Sequence, residues 1–120
     1  MTHEDYAQHV KEFTTEMTAV TTAKNPDYSA GTDDAMGNYY ECSEAGGITP
    51  IQAWSVLMMK HFTAIKRFIK TGRVSSEPIH GRFVDLANYA MLGDALVKDL
   101  ENKKSVPPQD GLIGGHGEDL

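Results

Sequence analysis

Three stretches of this chain repeat apolar residues in alternating steps of four and three, and nowhere does it alternate apolar with polar residues as a strand would. At about 100° per residue such a period winds apolar side chains onto one stripe of a helix, which confines the chain to an all-α fold. The clearest stretch is Glu77 to Leu100. There Ile79, Phe83, Leu86, Ala90, Gly93, Val97 and Leu100 form the stripe and predict the core face. The opposite side carries Glu77, His80, Asp85 and Asn88. Two carboxylates, an imidazole and a carboxamide differ from the Lys/Glu alternation of a merely solvated helix, so this face is either wet or a site for a ligand or metal.

The other two stretches frame this helix. Thr2 with Asp5 resembles a capping arrangement and precedes Tyr6, Val10, Phe13, Met17 and Val20, predicting a helix over 3–22 that stops before Asn25-Pro26. Thr49-Pro50-Ile51-Gln52 starts another, with Thr as cap, Pro in the first turn and Gln52 completing a capping box. Ile51, Met58, Phe62, Ile65 and Ile69 form its expected buried stripe, widened by Trp54 and Leu57, and Gly72 ends it. The short link over 73–76 makes the last two helices antiparallel neighbours. Between the first two, residues 24–47 hold four glycines and read as a long loop, with a candidate short helix over 33–44 in which Met36, Tyr39 and Tyr40 can be buried. The expected architecture is a small antiparallel bundle of three main helices in a single domain over 1–101. An irregular tail follows over 102–120.

At 120 residues there is room for one modest core, which is marginal alone and points to a homodimer or a higher homo-oligomer. A net charge of -6 disfavours direct DNA or RNA binding, which needs a basic surface to release counterions. An acidic protein can still hold a small nucleotide through a divalent cation. The lone Cys42 forms no internal disulfide, and the charged N-terminus has no membrane-crossing run, so a cytoplasmic protein is expected.

Several side chains invite a chemical reading beside a bland one. Glu41 and Glu44, spaced E-x-x-E, share one side of a helix and can hold a metal, or they are simply solvated. Asp27 and Tyr28 follow a turn and can present an acid and a ring to a base, although a loop tyrosine is as often a lid on the core. Lys60, Lys66, Arg67 and Lys70 complement a helix dipole; Lys60 and Arg67 remain open to a phosphate role.

The block D-L-A-N-Y at Asp85 to Tyr89, preceded by Glu77 and by the helix of Lys60 and Arg67, and K-N-P-D-Y at Lys24 to Tyr28, resemble the nucleotide modification associated domain 1 family. That family looks related to the all-α MazG-like nucleotide pyrophosphohydrolases. The resemblance implies a helical, oligomeric, nucleotide-handling protein in which E-x-x-E and E-x-x-D helices hold Mg²⁺. Under it, Glu77 and Asp85 are catalytic and share the metal with Glu41 and Glu44. Asp27, Tyr28, Trp54, Lys60, Arg67, His80 and Asn88 contact the nucleotide. Asp85 matches the last acid of E-x-x-D, whereas Arg82 stands three positions before it and His80 where the family has an acid. The resemblance thus supports a Mg²⁺-dependent nucleoside triphosphate pyrophosphohydrolase, with two alternatives: a nucleotide binder without turnover, suited to a phage counter-defence or regulatory role, or a helical interaction module.

Overall fold

The computed structural model describes residues 1–29, 33–73 and 78–104, apart from the side chain of Tyr28. Glu77 and residues 105–120 lie outside the described residues, while residues 102–104 of the expected tail continue the last helix. Among those described, four helices and no strand occur: α1 (His3–Tyr28), α2 (Gly37–Gly46), α3 (Pro50–Thr71) and α4 (Ile79–Lys104). The fold is the all-α bundle that the apolar periods predict.

Local chemistry sets the helix ends. Thr2 Oγ1 accepts from the Asp5 N–H at 3.0 Å, and the Asp5 carboxylate accepts from the Thr2 N–H at 3.4 Å, closing a capping box on α1. Thr49 and Gln52 close the equivalent box on α3 at 3.1 and 2.9 Å, with Pro50 in the first turn. Gly72 ends α3 at φ 74, a conformation that strains residues with a Cβ. One expected end moves: α1 continues past Asn25-Pro26 to Tyr28 instead of stopping near residue 22. Proline removes a single N–H there, and the following turn is closed by Ser29, whose N–H donates to the Asn25 carbonyl and whose hydroxyl donates to the Pro26 carbonyl, each at 3.0 Å.

α3 and α4 run antiparallel, since Trp54 meets Tyr89 and Gly93 while His61, one helical stretch later, meets Arg82 and Asp85. The short helix α2 covers one end of this pair, burying Met36 and Tyr39 against Leu92, Leu96 and Leu100. The Tyr40 hydroxyl donates to Asp99 at 2.6 Å and fastens α2 to α4. α1 packs on α4 and α2 but not on α3, and residues 1–12 are all exposed.

The core face of α4 differs from the expected one. Val84, Asn88, Leu92, Gly93, Leu96 and Leu100 are buried; Gly93 and Leu100 of the predicted stripe are among them, whereas Phe83 and Ala90 are exposed. The inward face therefore lies roughly a third of a turn round the helix. α4 is apolar on two sides, so periodicity alone does not choose between them; the packing of α2 and α3 does. α3 shifts similarly, burying Ala53, His61 and Ile65 and exposing Phe62 and Ile69.

Candidate functional site

The inward face of α4 has one polar side chain at its centre. Asn88 is 1% exposed, and among the described residues neither its amide nitrogen nor its amide oxygen has a hydrogen-bond partner. A buried amide without partners costs about 1–3 kcal/mol for each group stripped of water, so its retention needs a reason. The turns beside it supply context. Asp85 lies three residues before Asn88, Tyr89 lies one after, and from α3 the buried imidazole of His61 comes in against both. Nδ1 of His61 is 3.4 Å from Asp85 Oδ2, and the His61 ring lies 5.2 Å from that of Tyr89. Arg82 Nη1 approaches the same Nδ1 at 3.2 Å.

His61 Nδ1 is thus placed between a group that only donates and a group that, when ionised, only accepts. With Nδ1 bare, it accepts from Arg82; with Nδ1 protonated, it donates to Asp85. Burial lowers the imidazole pKa from its ordinary value of 6.5, Asp85 opposes this, and Lys60, Arg82 and Lys24 reinforce it. The neutral ring is therefore favoured at neutral pH, and its tautomer decides which of the two partners Nδ1 engages. Burial raises the Tyr89 phenol, as does the neighbouring Asp85 charge.

The last and smallest of these influences on His61 comes from Lys24, exposed on the last turns of α1. The assembled groups are complementary in kind: Arg82 offers positive charge, Asp85 accepts, Asn88 can do both, and His61 can do either. Such a set suits recognition of an anion attached to a hydrogen-bonding ring.

The remaining candidates are dispersed. Trp54 donates its indole N–H to the Tyr89 carbonyl at 2.7 Å and lays its ring on Gly93, where a Cβ would come within 2.7 Å of it. Its role in the structure is to set the α3–α4 crossing. Asp27 is exposed at the end of α1, and Lys60 and Arg67 are exposed on α3. His80 pairs with Glu16 at 2.7 Å and meets the Phe13 ring edge-on, joining α4 to α1. Glu41 and Glu44 are exposed on α2.

His61 and Arg82 are the site residues that sequence reasoning did not select. A signal for His61 existed, since it lies four residues from both Leu57 and Ile65 and so shares their inward stripe. Arg82 registered only as a departure from E-x-x-D.

Mg²⁺, which the resemblance implies, takes oxygen ligands in near-octahedral geometry. Among the described residues no three His, Cys, Asp or Glu side chains converge to hold a metal, and the partners of Asp85 are an imidazole and its guanidinium neighbour. The described donors do not fit the ion. No helix of the described residues is long and apolar enough to cross a membrane. In comparisons with known proteins, no family model matches the chain, and neither does any curated protein or solved structure.

Proposed function

We propose that the protein binds a nucleotide between α3 and α4, at the cluster of His61, Arg82, Asp85 and Asn88, and that it does so as a binder without turnover. The observation that carries this is Asn88, a fully buried amide whose donors and acceptor are unmatched among the described residues. A ligand edge with its own donor and acceptor would satisfy both, and Arg82 beside His61, with the more distant charges of Lys24 and Lys60, would favour an attached phosphate. The resemblance of K-N-P-D-Y and D-L-A-N-Y to a nucleotide-handling family supports the same ligand class. Binding is favoured over Mg²⁺-dependent hydrolysis because Asp85 is the one carboxylate in the described cluster and has cationic neighbours, the reverse of a site that concentrates negative charge on a metal. A core this small is marginal alone, so self-association belongs to the same proposal.

The test is calorimetric titration with nucleoside triphosphates and cyclic nucleotides, with and without Mg²⁺, while the solution is assayed for products. Saturable binding without Mg²⁺, a ligand returned unchanged and a loss of about tenfold or more in affinity for Lys24→Ala would support the proposal. Mg²⁺-dependent release of pyrophosphate that disappears in Asp85→Ala would replace it with the hydrolase. Silence across the panel would leave the helical interaction module.

A further inference from the structure

Helix α3 holds four of the chain's eleven Lys and Arg residues and none of its seventeen Asp and Glu residues, in a protein whose net charge is -6. Its outward face is also apolar: Ile69 is 77% and Val56 66% exposed, with Met59 and Phe62 between them. Lys66 lies 5.6 Å from the centre of the Phe62 ring, and Lys70 continues the same face one turn on. Apolar side chains exposed along three turns of one helix and flanked by uncompensated cations are the mark of a docking surface.

A complementary face exists on the same chain but cannot reach it. The first twelve residues contain Glu4, Asp5 and Glu12 against a single Lys11, and this exposed half of α1 also presents Tyr6 and Val10. Within one chain α1 does not pack on α3. Two copies related by a two-fold axis can place α1 of each on α3 of the other, so that one acidic–apolar face meets one basic–apolar face twice and the assembly closes.

We infer that the exposed face of α3 is the docking surface for the N-terminal half of α1 from a second copy of this chain. The inference rests on the self-association proposed above and names its surface; it does not depend on the nucleotide site. Lys66→Glu/Lys70→Glu reverses the charge on one face, Glu4→Lys/Glu12→Lys reverses it on the other, and the combined variant restores complementarity. Sedimentation equilibrium of the full chain, with circular dichroism to confirm folding, reads the outcome. The wild type is expected to dimerise, each reversal alone to weaken the dimer about tenfold or more, and the combination to recover most of that loss. A wild type still monomeric at about 100 μM overturns the inference, as does a dimer indifferent to the α3 reversal. A dimer broken by either reversal but not rescued by both overturns α1 as the occupant. A monomer that instead binds phosphatidylserine vesicles through Lys66 and Lys70 assigns the face to a lipid surface and overturns it too.

Discussion

The two ends of the α3–α4 interface are made from the same two helices and behave as opposites. At one end Trp54 lies on Gly93 and donates to the Tyr89 carbonyl, and the neighbouring Leu92 and Leu96 are buried in the core under α2. The described polar atom of Trp54 has its partner there, and contact is close enough to exclude a methyl group. At the other end His61, Arg82 and Asp85 share one ring nitrogen, and Asn88 between the ends has no partner among the described residues. Side chains that satisfy one another build stability; side chains left unmatched in a buried place keep capacity for something else. The crossing end therefore holds the helices in register, and the polar end is positioned by that register.

The largest effect should come from filling the crossing. Gly93→Val would push a branched side chain into the Trp54 ring and is expected to cost about 3 kcal/mol, read by urea denaturation. A variant as stable as the wild type would mean that the crossing is looser than its distances, and the contrast between the ends would fail.

Asn88→Leu is expected to act in the opposite direction. Replacing an unmatched amide by an apolar group of similar size should stabilise the fold by about 1 kcal/mol and, under the proposed function, remove the nucleotide affinity. A loss of stability would reveal that the amide is matched in the folded protein and would move Asn88 into the structural end.

The smallest effect is the pH dependence of His61. Its folded pKa lies below the unfolded value of 6.5, chiefly through burial. On acidification below 6.5 the unfolded chain takes up this proton first, so stability falls until the lowered folded value is reached and then levels. His61→Gln should flatten that part of the profile. An unchanged slope would exclude His61 as its source.

The ends also differ in how readily the sequence discloses them. Thr49-Pro50 with Gln52 and the closing Gly72 mark α3 because capping is written in adjacent residues. The burial of Met36 and Tyr39 follows from their being almost the only apolar residues in their segment. The inward face of α4 is harder to see, because a second apolar stripe through Ile79, Phe83 and Leu86 has the same period and the true core stripe is interrupted by an asparagine. A polar residue inside a core stripe breaks the pattern by which such stripes are found, and here that residue is the centre of the candidate site. Likewise, α1 extends through Pro26 because Ser29 closes the turn from beyond it, a contact outside the reach of a rule about proline alone.

Trp54 is the one tryptophan in the chain, and its position has an optical consequence. Its indole is half-buried against Gly93 and hydrogen-bonded to the backbone of Tyr89, the residue whose ring faces His61. Emission excited selectively from the indole therefore comes from a single known place. Parting of α3 and α4 would move that emission to longer wavelength as water reaches the ring, and a molecule settling beside Tyr89 would alter its intensity without parting the helices. The protein carries a built-in fluorophore able to tell unfolding from occupancy without a label.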